Sequence, residues 1–451
     1  MWTNRSRALL LQALFLDWLG LGLGLMLMLR IRTGMGIVAA DDSLQVQGPW
    51  MAFLWMLYPL LGWLFGSYTV LHWRRMPLPV LIQRVLITAA ATWLAVAVTR
   101  SLINPSPMVW FVLPQVQLLG LVLLSGWAVL VRLALRRQPL LVDAPKLLLL
   151  AQQEEIEAVL HAWERVPQRQ SLVPIDAMGL LECVTRNDQS LQVAVSSLIR
   201  RDPSIAELLH DLLKYDPRRV KCLSLLRLFE QYQERLPPQL IGDDTLIFDE
   251  LPWLAPFSVE AQLKRFFDLL VAALLLVVTA PLILVAALLI CIEDRGPIFY
   301  SQQRSGWLGH PFTLHKLRTM SVQPLNTPAQ WTKPGDHRVT TVGLYLRRLR
   351  IDELPQLWNV LIGEMSLIGP RPERPELELQ LEKRIPHYRR RHSMRPGLSG
   401  LAQVSMPYAG SIEESDLKLS YDLYYLRHFS TWLDCLILLR TIKTVLKAGG
   451  L

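Results

Sequence analysis

Two adjacent carboxylates, Asp352 and Glu353, are the residues of this sequence whose type and spacing best suit a chemical role. Neighbouring carboxylates place a nucleophile and a base or metal ligand in one small volume, and carboxylates are established nucleophiles toward phosphorus. Pro355 suits the first turn of a helix continuing through Leu357 and Val360. Asp352 would then lie at a helix N-terminus, where free N–H groups favour phosphate. The same pair is also an ordinary capping pattern, so alone it does not define a site.

The composition indicates a membrane protein rather than a soluble one. Hydrophobic residues make up 51% of the 451 residues and charged residues only 19%, and the mean hydropathy is +0.27. The net charge of +9 would suit nucleic acid, an anionic membrane surface or a phosphorylated substrate. Basic residues cluster near the apolar segments and in the C-terminal third, which favours membrane lipids and phosphate. The sequence contains no nucleic-acid recognition motif, so no nucleic-acid partner is expected.

Four apolar stretches in the first third are long enough to cross a bilayer, which requires about 20 residues. Three are interrupted by polar residues, such as Asp17 and Arg84, which we expect to face neighbouring helices or an interface. The excess of Lys and Arg before the first stretch, between the second and third, and after the fourth places the N-terminus in the cytoplasm. The stretches cover about 8–29, 50–72, 78–99 and 108–131.

Residues 144 to about 250 have the pattern of a modest α/β domain. The apolar runs Leu147-Leu148-Leu149-Leu150 and 246–248 alternate with helical patterns at 154–163 and 205–213. The first run is followed by Ala151-Gln152-Gln153 rather than a glycine-rich turn, so a nucleotide cofactor is not expected here. The four cysteines lack metal-ligand spacing and are interpreted as reduced structural thiols.

A fifth apolar stretch, about 265–292, follows Lys264-Arg265 and contains Pro281 near its middle. Proline removes a helix hydrogen bond and kinks a helix. A spanning helix and a kinked, re-entrant helix that enters and leaves one leaflet both fit the hydropathy. The charged flanks favour the re-entrant form, with Lys264 and Arg265 at the membrane interface and Pro281 at the kink.

A series of short sequence blocks lies in order between residues 264 and 446. These are Lys264-Arg265 with Asp268, Gly296-Pro297-Ile298-Phe299, Gln303-Arg304, Lys316-Leu317-Arg318-Thr319-Met320, Asp336 with Arg338, Leu346-Arg347-Arg348, Asp352-Glu353-Leu354-Pro355-Gln356, Asn359-Val360-Leu361, Gly369-Pro370-Arg371-Pro372, Arg395-Pro396-Gly397 and Tyr421-Asp422. In this order they resemble the bacterial sugar transferases, the large monotopic polyprenyl-phosphate phosphoglycosyl transferases that start exopolysaccharide (colanic acid, for example) and O-antigen synthesis.

The resemblance implies a reaction and its participants. Asp352 would attack the β-phosphate of a UDP-sugar, UMP would leave, and polyprenyl (undecaprenyl) phosphate would attack the phosphosugar–aspartyl intermediate. Glu353 would assist, with Asp352 and Glu353 holding Mg²⁺, the natural metal for carboxylate and diphosphate oxygens. The expected partners are therefore a UDP-sugar, polyprenyl phosphate and membrane lipids. A homo-oligomer, such as a dimer, is left open, as is the identity of the sugar.

Basic residues in the matching blocks are candidates for phosphate binding, because guanidinium groups bind phosphate oxygens in pairs. Arg371 lies between two prolines and would be held on a stiff backbone. For Arg347 and Arg348, a solvated or membrane-facing helix remains an equal alternative. Among the arginines at 389–391, lipid headgroups and solvent are both open. The candidate set is Lys316, Arg318, Arg347, Arg348 and Arg371.

The sequence departs from the family pattern at three places. Arg350 stands where a small Ser is usual and adds charge beside the pair. Ala280 precedes Pro281 where Ser is common, which removes a hydroxyl that could bond a freed carbonyl. Ser405-Met406-Pro407-Tyr408 replaces the usual continuation toward Gly-Arg, and we expect a specificity loop there.

The predicted fold is that of an integral membrane protein of the bacterial inner membrane. It consists of a four-helix transmembrane bundle (1–140), a cytoplasmic, degenerate Rossmann-like α/β domain (141–255) and a mainly α catalytic domain on the cytoplasmic face (256–451), anchored by the re-entrant helix. The principal alternative is a membrane-anchored, non-catalytic scaffold of a polysaccharide assembly complex. A transporter or flippase component, or a transferase with its site among many spans, fits the sequence less well.

Overall fold

The computed structural model describes twelve segments of the chain: 4–34, 56–68, 78–103, 122–135, 146–166, 171–186, 191–199, 202–212, 220–241, 258–321, 338–406 and 411–446. The chain divides into two compact units, Met1–Pro145 and Lys146–Leu451. The predicted strand at 246–248 and parts of the second and fourth apolar stretches lie outside the described residues.

The described residues of the first unit are mostly helical. The helices are α1 (Asn4–Gly34), α2 (56–64), α3 (Leu78–Ile103) and α4 (Val122–Leu135). Apolar side chains from these helices, including Ala13, Leu81 and Ala128, form a common core. Within the described part of the chain, α3 and a later helix within Val259–Glu293 are long and apolar enough to cross a membrane.

A fully buried ion pair joins α1 and α4 in the first unit. Arg132 donates to both carboxylate oxygens of Asp17, at 2.9 and 2.8 Å, and to the carbonyl of Ser67 at 3.1 Å. The hydroxyl of Tyr68 donates to the same carboxylate at 2.6 Å. Asp17 therefore faces neighbouring helices, as the sequence predicted, and its charge is matched because an unpaired buried charge is very costly.

The second unit begins with a parallel four-stranded sheet in the order β2-β1-β3-β4. Leu147 and Leu149 pack into a core on one face of the sheet, while Leu148 and Leu150 pack into a core on the other. Helices cover both faces, as a parallel sheet with apolar strands requires. The predicted first strand and both predicted helices are confirmed. The elements are β1 (Lys146–Leu150), α5 (Gln153–Glu164), β2 (Leu172–Pro174), α6 (Ala177–Arg186), β3 (Leu191–Val195), α7 (Pro203–Leu212), β4 (Val220–Ser224) and α8 (Leu225–Gln233).

The remainder of the second unit is mainly helical, with two small sheets. The hairpin β5–β6 is antiparallel, and β7 pairs with β8 in parallel. The elements are α9 (Val259–Asp294), β5 (Phe299–Ser305), β6 (Pro311–Leu317), α10 (Thr341–Arg348), α11 (Gln356–Ile362), β7 (Ser366–Ile368), α12 (Pro375–Glu382), β8 (Gly397–Ser399), α13 (Leu401–Ser405), α14 (Ile412–Arg427) and α15 (Thr431–Leu446).

The α/β sheet region and the mainly helical region share one core. Leu236 and Ile241, which follow α8, are buried together with residues of the helical region. The amide of Leu236 donates to the carbonyl of Ser420 at 2.8 Å. Arg165 and Gln239 both donate to the carboxylate of Asp416 on α14. The sheet region is thus fixed to α14.

Both ends of the 36-residue helix α9 are attached to the helical region. Near its start, Arg265 donates to the carbonyls of Val360 and Leu361 at 2.7 and 3.0 Å. Near its end, Ala286 and Ile290 pack with residues of β6 and α10. The part between carries Pro281 inside the helix, and its apolar side chains, such as Leu282 and Leu284, are exposed.

Candidate active site

The Asp352-Glu353 pair lies in a reversal of the chain between α10 and α11. Arg350 adopts a left-handed conformation, with φ at 55°, and residues 351–353 form a 3-10 turn. Pro355 is the N-cap of α11 rather than part of its first turn, and Asp352 lies in the short turn directly before this helix N-terminus. Both carboxylates are buried, with 7% and 8% of their surfaces exposed.

Gly343 and the side-chain amide of Asn359 fix the positions of the two helices on either side of this reversal. A Cβ on Gly343 would lie 2.2 Å from the carbonyl oxygen of Thr319, so only glycine allows α10 to approach so closely. Asn359 on α11 donates to the carbonyl of Thr313 at 2.8 Å and to Glu364 at 2.7 Å. These contacts hold α10 and α11 against the strand β6 and its extension.

Glu353 is surrounded by positive charge. Its Oε1 accepts from Arg371 at 2.6 Å and from Lys316 at 3.3 Å, and its Oε2 accepts from Arg350 at 3.3 Å. Burial alone would raise the pKa of Glu353, but the charges of these three partners outweigh it and hold the pKa well below the ordinary value. Glu353 is therefore an anion that gathers three cations beside Asp352.

The environment of Asp352 differs from that of the adjacent residue Glu353. Among the described residues, no donor is hydrogen-bonded to its carboxylate. Burial, and then the charge of Glu353, raise the pKa of Asp352 to about 6, although Lys316, Arg347 and Arg371 oppose the shift. Among the described residues, the site thus separates two neighbouring carboxyls into an anion held by three cations and a carboxyl without a hydrogen-bond donor, whose pKa is raised.

The structure brings together three of the five predicted phosphate-binding residues. Lys316 and Arg371 contact Glu353 directly. Arg347 donates to the Thr319 hydroxyl at 2.8 Å, and its charge acts on Asp352. Arg318 is buried and donates to the Pro297 carbonyl at 2.6 Å, and Arg348 is exposed on α10.

Lys264 and Arg265, predicted at the membrane interface, are bound to protein groups. Lys264 donates to Asp434 at 2.6 Å and to the Ile368 carbonyl at 2.9 Å. Arg265 reaches the last carbonyls of α11, where a helix C-terminus favours a cation. The start of α9 is therefore fixed to the helix that follows Asp352. These contacts leave the prediction of a membrane interface open.

One site feature was not predicted from the sequence. Arg391 is buried and paired with Asp422, whereas solvent and lipid headgroups were the alternatives for 389–391. Its neighbour Arg389 is 84% exposed. In a sequence, a buried arginine in a basic run looks the same as an exposed one. The only sign of a partner for Arg391 was the Tyr421-Asp422 block. The predicted specificity loop extends beyond the described residues after Met406.

Taken together, fold and site define a protein with an apolar, membrane-compatible helix and a buried carboxylate pair set among cations, which suits phosphoryl chemistry. Residues 259–448 match the family model of the bacterial sugar transferases. A putative undecaprenyl-phosphate N-acetylgalactosaminyl 1-phosphate transferase of Bacillus subtilis is 46% identical over 129 residues, 29% of this chain and 72% of that protein. The chain belongs to the bacterial sugar transferase family.

Two further relatives carry more specific names. A UDP-N-acetylgalactosamine-undecaprenyl-phosphate N-acetylgalactosaminephosphotransferase of Aeromonas hydrophila is 44% identical over 207 residues, 46% of this chain and 49% of that protein. A UDP-glucose:undecaprenyl-phosphate glucose-1-phosphate transferase of Caulobacter vibrioides is 44% identical over 185 residues, 41% of this chain and 69% of that protein. The chain thus spans about half the length of the first of these relatives, and their named sugars differ.

Proposed function

We propose that this protein transfers a hexose-1-phosphate from a UDP-sugar to undecaprenyl phosphate, releasing UMP, and so initiates the synthesis of an exopolysaccharide, O-antigen or capsule. The observation that carries the proposal is the Asp352 carboxylate, buried and without a described hydrogen-bond donor beside three cations anchored by Glu353. The relatives' names, which specify undecaprenyl phosphate and sugar phosphates, support the same reaction.

The proposed chemistry proceeds in two displacements at one phosphorus atom. An oxygen of Asp352 attacks the β-phosphorus, and the bond to the bridging oxygen breaks with its electron pair leaving on UMP. The phosphosugar is then bound to Asp352 as an acyl phosphate. An oxygen of undecaprenyl phosphate next attacks that phosphorus, and the bond to Asp352 breaks, which restores the carboxylate. Each step exchanges one phosphorus–oxygen bond for another.

The cations at the site stabilise the charge that these displacements move. Glu353 fixes Arg371 and Lys316 before substrate arrives, so little reorganisation is needed during the reaction. Arg347 is held by Thr319 on the side of Asp352. Because the cations outnumber the carboxylates, the site is suited to a diphosphate, which would bring the compensating negative charge.

Asp352 fits Mg²⁺, because it offers hard carboxylate oxygens with no described donor. Glu353 fits less well, because its oxygens already accept from Arg371, Lys316 and Arg350, and one of these would have to give way. When bound, Mg²⁺ would neutralise charge on the diphosphate oxygens. Asp352 is therefore the residue we assign to hold the ion, with Glu353 as the anchor of the cations.

The proposed location is the cytoplasmic face of the inner membrane, with α9 entering and leaving one leaflet. Both ends of α9 contact the same compact region, through Arg265 at one end and Ala286 and Ile290 at the other. Because both ends of α9 bind the same region, both ends lie on the side of the membrane where that region is. The exposed apolar middle of the helix, which contains Pro281, would be the part in lipid.

The topology can be tested with a membrane-impermeant maleimide. Cys291, near the end of α9, is free and exposed, and it reports on that end when the other three cysteines are changed to Ser. A cysteine replacing Ser258, in a separate variant without the native cysteines, reports on the start of α9. We expect both positions to be labelled in inverted vesicles and neither in intact spheroplasts. Labelling of the two positions from opposite sides would show a spanning helix.

The reaction can be tested by measuring UMP release across UDP-hexoses and UDP-N-acetylhexosamines with Mg²⁺ present. Without undecaprenyl phosphate, we expect the wild type to release about one UMP per protein molecule, as a burst, with the matching sugar. Asp352→Asn is expected to release none, and Glu382→Gln, on helix α12, serves as the control. Full turnover by Asp352→Asn would exclude the covalent route. No release with any nucleotide sugar would favour the non-catalytic scaffold.

A further inference from the structure

We propose that the buried pair Arg391–Asp422 is a positioning device that holds the backbone of Arg371 in place for phosphate binding. This inference rests on the proposed function. The pair lies behind the site, on the 3-10 turn 388–393 and on α14, so it would act through Arg371 rather than on the substrate itself.

The segment Pro370-Arg371-Pro372-Glu373 is irregular, and two of its residues lack an amide hydrogen. Each of its four successive carbonyls nevertheless accepts a hydrogen bond, and the donors lie on three elements: β8, the 3-10 turn 388–393 and β5. The donors, in order, are the amide of Gly397 at 2.9 Å, Arg391 Nη2 at 2.7 Å, Arg304 Nη1 at 3.2 Å and the amide of Ser305 at 2.9 Å. The backbone that carries Arg371 is thereby fixed on all sides.

Arg391 is the donor to the carbonyl of Arg371 itself. The same Nη2 also donates to Asp422 at 3.0 Å, and Nη1 donates to the hydroxyl of Tyr388 at 2.9 Å. The side chains of Arg391 and Asp422 are only 3% and 2% exposed. A guanidinium with its planar, forked donors can bridge a carboxylate and a carbonyl at once, which an ammonium does less well.

The surroundings of Asp422 are consistent with this function. Lys418, one turn earlier on α14, is paired with Glu373 at the end of the same segment. The charges that act on Asp422 are Arg391, Lys418 and Glu373. Two residues of α14 therefore hold the segment that carries Arg371. Asp422 acts through Arg391, and Lys418 acts through Glu373.

Stability alone does not account for a charged pair at this position. Replacing a buried ion pair with apolar residues of similar size is often neutral or stabilising. Apolar residues, however, cannot donate to the carbonyl of Arg371. The property that requires Arg391 here is the hydrogen bond to the Arg371 backbone.

The test compares Arg391→Lys, the apolar double variant Arg391→Met/Asp422→Leu, and Arg389→Lys as the exposed control from the same turn. We expect the double variant to keep the thermal midpoint of the wild type while kcat/KM for the UDP-sugar falls at least about tenfold. Arg391→Lys is expected to show an intermediate loss, and Arg389→Lys none. Wild-type kcat/KM in a folded double variant, or in Arg391→Lys, would overturn the proposal.

A double-mutant cycle separates positioning from general destabilisation. In an Arg371→Lys background, Arg391→Lys should cost much less than it does in the wild type, because both changes affect one interaction. Equal losses in both backgrounds would contradict the proposal. If the wild type releases no UMP with any sugar, the proposed function fails, and a cryo-EM structure of the double variant decides the positioning. An Arg371–Glu353 contact unchanged in that structure would refute the positioning.

Discussion

Replacing Asp352 with Asn should abolish the reaction and at the same time stabilise the protein. The pKa of Asp352 is raised from 3.8 to about 6, first by burial and then by the charge of Glu353. A change of one in a pKa corresponds to about 1.4 kcal/mol, so ionising this buried group costs the folded state about 3 kcal/mol. Asparagine has nearly the same shape and carries no charge, and therefore avoids this cost.

The direction of the pH dependence follows from the raised pKa. Below the ordinary value of 3.8 the carboxyl is protonated in the folded and unfolded states, and the variant gains little. As the pH rises from there through about 6, the unfolded chain ionises first, and wild-type stability falls relative to Asp352→Asn. The difference is complete above about pH 6 and remains constant at higher pH.

The assay is thermal unfolding of both proteins in the same detergent at about pH 4 and about pH 7.5. With an unfolding entropy of about 2.1 cal/mol/K per residue and a unit spanning Lys146–Leu451, 1 kcal/mol corresponds to about 1.5 °C, so the variant should unfold roughly 3–6 °C higher at the upper pH and at nearly the same temperature at the lower pH. Glu382→Gln, which removes a carboxylate paired with an exposed arginine, controls for the change from acid to amide. A variant that is less stable than the wild type at about pH 7.5 would refute the reasoning, as would a difference that does not depend on pH.

Three further outcomes are expected from the same geometry. Under the proposed mechanism Asp352 attacks only when ionised, so kcat/KM for the UDP-sugar should fall as the pH is lowered, and the fall should begin at a higher pH in low Mg²⁺ than in saturating Mg²⁺, because an ion held by Asp352 lowers its pKa; a flat profile between about pH 4.5 and 7 at low Mg²⁺ would contradict this. Glu353→Gln should reduce kcat/KM on the order of 100-fold, because an amide cannot gather the three cations, whereas Glu382→Gln should leave it unchanged. Arg350→Gly keeps the left-handed backbone while removing one cation, so it should raise KM by roughly three- to tenfold and change the free energy of unfolding by less than about 1 kcal/mol; unchanged KM would show that Arg350 has no part in substrate binding.

Much of the local structure could be predicted from the sequence because it depends on near neighbours in the chain. The apolar run at Leu147 predicted β1, and the periodic patterns after it predicted α5 and α7. Asp17, a charge inside an apolar stretch, was expected to face neighbouring helices or an interface, and the structure places it against Arg132 of α4. Periodicity and hydropathy carry such information because burial of one face is dictated by residue type.

The sequence singled out the residues that the structure brings together around Asp352 and Glu353, but not the contacts that give the two carboxyls different environments. The order of the blocks identified Asp352, Glu353, Lys316 and Arg371, and the family relationship is confirmed. The resemblance gave the two carboxyls different roles, but their opposite pKa shifts could not be predicted, because these arise from burial and from the cations that the fold brings to Glu353. Arg350 was noticed as a departure, but its contact with Glu353 follows from a left-handed turn.

The sequence alone was enough to identify the family and the apolar segments long enough for a membrane, and it singled out the carboxylate pair as a candidate for chemistry. Three features came from long-range packing: the cations that meet Glu353, the absence of a described hydrogen-bond donor to Asp352, and the contact of Arg391 with the Arg371 backbone. The physical reason is distance along the chain. Side chains from β6, the turn before α11 and the Pro370–Glu373 segment become neighbours only when long-range packing closes the site, and burial then turns modest charges into large differences in proton affinity.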